Sequence, residues 1–227
     1  MSVTLSDMKQ IVLIMAVVVL VGCGKKPAEG SFAETKAKAE AGYADAQSNL
    51  GFMYHQGQGV EQDFKEALKW CRKSAEQGNA CGQNELGTMY ARGEGVPRDD
   101  KEAVKWYRKA AEQGYAHAQT NLGYVYESGI LKDDKEAVKW FRKAAEQGDE
   151  MAQNGLAFMY ENGRGVEKDV VRAYAWHEIA TSGEMFTKLF KEDKSKLAKK
   201  MTPEQIAEAG ELVKEMIKKN PKLLNKK

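Results

Sequence analysis

The sequence predicts an all-α protein, an α/α superhelical solenoid of about four helix-turn-helix repeats with capping helices at its N- and C-terminal ends. Three observations predict it. A paragraph of about 36 residues recurs, with anchors Leu50-Gly51, Leu86-Gly87, Leu122-Gly123 and Leu156-Ala157 stepping by 36, 36 and 34. Trp70, Trp106, Trp140 and Trp176 step by 36, 34 and 36 in the same frame. Inside each copy the apolar residues fall at helical spacing. A fixed period of this size marks stacked supersecondary units. No unit closes a core alone, so neighbours share one and leave a long side surface.

One copy, residues 43–78, shows the design. Ala46, Leu50, Met53 and Tyr54 occupy i, i+4, i+7 and i+8, one face of a first helix. Gly57-Gln58-Gly59-Val60 ends it, because glycine takes the positive φ that a helix end needs. Asp63 with Glu66 three residues on predicts a capping box, repeated at Asp99/Glu102 and Asp133/Glu136 and broken at Asp169/Arg172. The second helix buries Ala67, Trp70, Cys71, Ser74 and Ala75, and Gly78 closes it. Gly51, Gly87 and Gly123 fall in mid-helix, where glycine costs about 1 kcal/mol relative to alanine. Their recurrence predicts close helix–helix approach, with Ala67, Ala103, Ala137 and Ala173 serving the same end on the second helix.

The set A-x3-LG-x2-Y, G-x-GV and A-x2-W…AAEQG over residues 43–183 resembles the SEL-one-like repeat (SLR) family, relatives of the tetratricopeptide repeats. The resemblance implies an α/α superhelix. Gly129-Ile130 lacks the full G-x-G-V, which accounts for the 34-residue step, and the fourth copy ends Ala180-Thr181-Ser182-Gly183 instead of AAEQG. The domain plan is then a leader over 1–22, Cys23 and a tether over 23–31, a capping half-helix over 32–42, four repeats over 43–183, and basic capping helices over 184–227. In that last segment Thr202-Pro203-Glu204-Gln205 is a helix start. Ile206, Ala209, Leu212, Val213 and Met216 continue it as an apolar stripe, similar to the last helix of many SLR proteins. A further helix is expected over 186–200.

The leader carries an apolar run from Ile11 to Gly22, well short of the ~20 residues that cross a bilayer. Such a run followed by small residues is a signal-peptide core, the other reading being an uncleaved anchor. Leu20-Val21-Gly22-Cys23 resembles the bacterial lipobox. The resemblance implies a lipid on Cys23, cleavage before it, and no cofactor other than that covalent lipid. Met8 makes a more compact leader than Met1 and is the expected initiator. Gly24 follows the cysteine where an Asp would resemble an inner-membrane retention signal, so the expected place is the outer membrane, facing the periplasm.

A formal net charge of +2 and a pI of about 8.2 give no electrostatic footprint for nucleic acid. His55, His117 and His177 are scattered without metal spacing and are expected at the surface or rim. No catalytic motif is present in the repeats, and no small-molecule substrate is expected. Cys71 reads as apolar and Cys81 as exposed; a disulfide between them and two separate thiols both stay open. From Glu184 on, twelve lysines stand against seven acids. Lys188, Lys191, Lys194, Lys196, Lys199 and Lys200 cluster there, as a solvated face or as a contact for an anionic surface.

Recognition is expected on a stripe of the first helices at positions that vary between copies: Asp45, Ser48, Phe52, His55; Cys81, Asn84, Thr88, Ala91; His117, Thr120, Tyr124, Glu127; Met151, Asn154, Phe158, Glu161. Resemblance to tetratricopeptide repeats places these in a concave groove. Phe52, Tyr124 and Phe158 are candidate anchors, because aromatic residues often dominate interface energy; their alternative is packing between helices. The expected function is a lipid-anchored, protein-binding scaffold or adaptor. An immunity protein that neutralises a secreted toxin, for example a phospholipase effector, is the second reading. A cell-wall-active enzyme is the remote third.

Overall fold

The computed structural model describes residues 31–129, 131–182 and 187–224. The leader, Met8, Cys23 and the tether up to residue 30 lie outside the described residues. The secondary structure among the described residues is helical throughout, so the all-α class read from the sequence is the class observed. The chain divides after Ala110 into two compact units.

The first unit begins with α1 (Phe32–Glu40), α2 (Ala44–Gln56), α3 (Phe64–Glu76) and α4 (Ala80–Arg92) and runs into α5 (Asp100–Glu112). Ser31 caps α1, its hydroxyl accepting from Glu34 N–H. Helix α2 packs on α1, α3 and α4. The second unit holds α6 (Ala116–Ser128), α7 (Asp134–Ala145), α8 (Glu150–Asn162), α9 (Val170–Ala180), α10 (Thr187–Ala198) and α11 (Pro203–Lys219), followed by a 3-10 turn, Pro221–Leu224. Each of its helices up to α9 packs on the next, and α9 receives both α10 and α11.

The repeat residues act as their spacing predicts. Leu50, Leu86, Leu122 and Leu156 are wholly buried. The first helices of copies one, two and four end at Gly57, Gly93 and Gly163, all left-handed, with their N–H groups donating to Met53, Met89 and Met159. In the third copy the shortened loop leaves Gly129 extended instead. The mid-helix glycines mark close approach: a Cβ on Gly51 would strike Cys71, and one on Gly123 would strike the Phe141 ring. One on Gly87 would lie 2.8 Å from Cδ1 of Tyr107.

The capping boxes expected at Asp63, Asp99 and Asp133 are one-sided. Each aspartate accepts from the N–H groups two and three residues on. Its own N–H is already donated to a tyrosine carbonyl of the preceding helix, Tyr54, Tyr90 or Tyr126. Glu66 therefore has no N-cap donor to satisfy and accepts from Trp70 Nε1 at 3.1 Å and from Lys69 instead. The reciprocal box forms at Thr202 and Gln205.

A glutamine not singled out by the sequence reading ties successive copies together. Gln47, Gln83, Gln119 and Gln153 are all buried. Their side-chain amides donate to the carbonyls of Ala39, Ala75, Ala111 and Ala145, in the last turn of the preceding helix, at 3.0–3.3 Å. Each of these carbonyls also accepts from a turn N–H, that of Gly42, Gly78, Gly114 or Gly148, so the amide takes its second lone pair. The C-terminal turn returns to the same place: Gln153 also donates to Leu223 O at 2.8 Å, Asn220 donates to Glu146 O at 2.7 Å, and the Leu223 side chain is buried.

Two glycine substitutions of opposite sign test the packing argument. Gly87→Ala gains about 1 kcal/mol of helix propensity but overpacks Tyr107, a change that costs about 1–3 kcal/mol; a net loss is expected in urea unfolding. Gly210→Ala in α11 meets nothing within 4 Å and should raise stability by about 1 kcal/mol. Equal effects at the two sites would contradict the close-approach role.

Candidate interaction surface

The expected stripe is less open than its variability suggests. In the first unit Ser48, His55, Asn84 and Thr88 are buried, and Phe52 is half-buried. Ser48 Oγ donates to Cys81 Sγ at 3.0 Å. Thr88 donates to Asn84 O and accepts from the Tyr107 hydroxyl, both at 3.1 Å. Burial pushes the Tyr107 pKa up to about 12. In the second unit Thr120 is buried and turned back to Ala116 O. Tyr124 sets its ring edge against Phe141, with centroids 4.9 Å apart, and donates to Met151 O at 3.2 Å. Its hydroxyl is held far above the ordinary phenol range by burial, with Asp149 and Glu127 adding to it. Tyr124 is thus bound into the packing between helices, the alternative that the sequence left open. Asn154, half-buried, lies 2.9 Å from His177 Nδ1.

The ends of the stripe are occupied by the next copy or, after the last copy, by the C-terminal segment. His55 Nε2 lies 2.7 Å from Glu94, Arg164 donates to Glu127, and Lys200 donates to Glu161 at 3.1 Å. At the other end Asn79 donates to Asp45 at 2.6 Å, and His117 Nδ1 lies 2.9 Å from Asp149. Arg164 is the densest of these links. It also reaches Glu127 O at 2.7 Å and both carboxylate oxygens of Asp134, and it stands 5.7 Å from the Phe158 ring centroid. The Asp134 hydrogen bonds, with Glu127 beside them, hold its pKa above the ordinary arginine value. Phe158 itself is 37% exposed, the most open ring of the stripe.

Other expectations are revised. His55 and His177 are buried rather than at the rim; only His117 is part-exposed. His55 reaches Glu94 and His177 reaches Asn154 through one ring nitrogen each, partners distant in sequence that spacing does not reveal. Cys71 is a free, buried thiol, so it is not bridged to Cys81, and burial pushes its pKa well up. The basic cluster is partly neutralised in place, with Lys194 on Glu178, Lys196 on Asp193 and Lys200 on Glu161. A cleft of about 670 Å³ lies between the start of α9 and α11, with Asp169, Arg172, Glu211 and Lys214 among its lining residues. Among the described residues no cluster of histidine, cysteine and carboxylates is placed to hold a metal, and no helix is long and apolar enough to cross a membrane.

Comparison with known proteins agrees with this architecture. The Sel1 repeat matches over residues 44–79, 82–115, 116–149 and 150–183. No curated protein matches the chain. Among solved structures, the c5321 protective antigen of uropathogenic Escherichia coli, described as displaying an SLR fold, is 35% identical with a TM-score of 0.50. That match covers 86% of this chain but only 50% of the antigen, so the chain spans about half its length. A Sel1 repeat protein from Oxalobacter formigenes is 38% identical over 70% of this chain and 69% of its own, with a TM-score of 0.60. The immunity protein Pa5087 of Pseudomonas aeruginosa is 24% identical over 76% and 66% of the two chains, with a TM-score of 0.51. At that identity the likeness is one of fold.

The links between copies differ in depth, and their removal should differ accordingly. Arg164→Ala leaves Glu127 and Asp134 without their shared donor and should cost about 1–3 kcal/mol of unfolding free energy. Lys200→Ala removes an exposed partner of Glu161 and should cost no more than about 1 kcal/mol. Urea titration of the two variants checks the order; a smaller loss for Arg164→Ala would refute its role as the main link.

Proposed function

The chain belongs to the Sel1 repeat family, and we propose that it is a scaffold for binding another protein and works from the bacterial envelope, held there by a lipid on Cys23. The observation that carries the binding surface is what remains after the internal links are subtracted. Ser48, His55, Asn84, Thr88, Thr120, Glu127, Asn154 and Glu161 are buried, paired or both. The aromatic position in the middle of the stripe is the one that keeps open apolar surface, at half-buried Phe52 in one unit and exposed Phe158 in the other. A ring fixed beside a fully engaged arginine presents area to a partner at little cost in side-chain entropy. Recognition is then a matter of shape and one or two anchors, with no bond chemistry. The hydrophobic run and the Leu20-Val21-Gly22-Cys23 motif support the anchor, and several acyl chains hold a protein on a membrane where one does so only marginally.

The second reading is an immunity protein that captures a secreted toxin in the periplasm. Its support is that the same fold serves as the immunity protein Pa5087 in Pseudomonas aeruginosa. The two readings part in vivo: an immunity role requires that loss of the gene be lethal only in the presence of the cognate toxin, whereas an adaptor's loss has its effect without one.

Two measurements test the proposal. Phe158→Ala should weaken binding to a partner recovered by envelope cross-linking by at least about tenfold, with helicity and unfolding midpoint unchanged. Unfolding of the variant would make the ring core and remove it from the surface. Cys23→Ser should move the protein from the membrane to the soluble fraction and abolish labelling by a radioactive fatty acid; persistence of the label would overturn the assignment of Cys23.

A further inference from the structure

His177 stands in the frame where Cys71, Tyr107 and Phe141 stand in the earlier copies, at the packed face of the second helix. It is 2% exposed in α9. Nδ1 lies 2.9 Å from Asn154 Oδ1 on α8, and Nε2 is buried with no hydrogen-bond partner. With the amide oxygen of Asn154 as acceptor, Nδ1 carries the proton and Nε2 is a bare nitrogen. A second proton would therefore create a buried N–H with no acceptor, on a ring that has become a cation.

The surroundings offer that cation no relief. Helix α10 contributes Lys194, whose amine is 2.6 Å from Glu178 and whose charge acts against a charged His177 ring. Helix α8 contributes neutral Asn154. The charges of α11, Glu208, Glu211, Lys214, Glu215 and Lys218, line the cleft at the opposite, N-terminal end of α9, and the C-terminal turn brings Lys222. Helix α10 is held on the last repeat by buried Phe190 and Leu197, by Lys194 on Glu178 and by Lys200 on Glu161. Helix α11 has separate anchors in Asn220 and Leu223.

We propose that His177 is an acid-sensitive latch, protonation of its buried ring releasing α10 from the last repeat while α11 stays docked. Release would also uncouple Lys200 from Glu161, one turn from Phe158, so the latch adjoins the surface proposed for partner binding but stands on its own geometry. Burial first and Lys194 second lower the His177 pKa from 6.5 to about 4. A base whose docked pKa is depressed gives its full contribution to docking above about pH 6.5, loses it as pH falls from about 6.5 to 4, and changes nothing further below. The opening equilibrium of α10 should then rise about 20-fold between pH 7 and pH 5, and about 100-fold by pH 4. Asp193, whose carboxyl burial holds above its ordinary value, has the opposite sign: its protonation favours the docked helix.

Hydrogen exchange of the full chain, corrected for the intrinsic rate, reads this directly. At pH 5 the amides of α10 should lose about 20-fold of their protection relative to pH 7 while those of α2 and α3 keep theirs. His177→Phe, carrying the ring found at Phe141, should abolish the loss, and Asp193→Asn should leave it in place. Equal protection of α10 at both pH values, or the same loss in His177→Phe, would overturn the latch. Should that variant fold poorly, NMR titration of the His177 ring in the unaltered protein decides: a midpoint below 5 supports the latch, and one near 6.5 with α10 still protected refutes it.

Discussion

The buried glutamine of the first helix is the constraint from which the architecture follows. An all-helical repeat protein must join helix ends inside its core, and each helix ends with carbonyls that have no intrahelical donor. At Ala39, Ala75, Ala111 and Ala145 a turn glycine N–H gives one donor, and Gln47, Gln83, Gln119 and Gln153 add a second from the next helix along. The glutamine can do so only if the next copy begins at a fixed offset, so the hydrogen bond sets register as well as satisfying a buried group. Leu50, Leu86, Leu122 and Leu156 lie three residues beyond each glutamine on adjoining turns and fill the space that this register creates. In the last copy Gln153 carries a second carbonyl, Leu223 O, so the same amide that joins the copies also fastens the end of the chain.

Much of this was legible in the amino-acid pattern. Helix positions, their glycine ends and the tight glycines follow from period and from the conformational demands of glycine, both local properties. The one-sided caps were not legible, because the sequence shows that Asp63 and Glu66 are spaced for a box but not that Tyr54 O has already taken the aspartate N–H. The Gln47 series recurs in the sequence, but a polar residue on a helix reads as solvated until its acceptor is known. Burial of His55 and His177 depended on partners 39 and 23 residues away, Glu94 and Asn154. No local pattern announces these.

The recognition stripe shows the limit of reasoning from variability. Positions that change between copies read, from the sequence, as released from packing. At the ends of the stripe they change in step with a neighbour: histidine faces glutamate at 55 and 94, glutamate faces arginine at 127 and 164, and glutamate faces lysine at 161 and 200. An internal polar or ionic contact tolerates many residue pairs so long as the partners complement each other, so such positions vary without being free. Variation therefore signals either a ligand or an exchangeable internal contact. Only the distance to the next copy separates the two.

The middle of the stripe obeys a different rule. Phe52, Thr88, Tyr124 and Phe158 occupy one position, and the outcome depends on what the second helix offers opposite it. Tyr107 reaches Thr88 with its hydroxyl, and Phe141 takes the edge of Tyr124. In the last copy the residue opposite is His177, which bonds to Asn154 instead, and Phe158 is left open under Arg164. A polar residue substituted at the packed face of a second helix thus accounts both for an unsatisfied buried nitrogen and for an aromatic ring one turn away that no second-helix ring covers. The property that makes the last copy a less complete piece of core is the one that gives it an exposed anchor, and interior packing and surface recognition are set there by the same side chain.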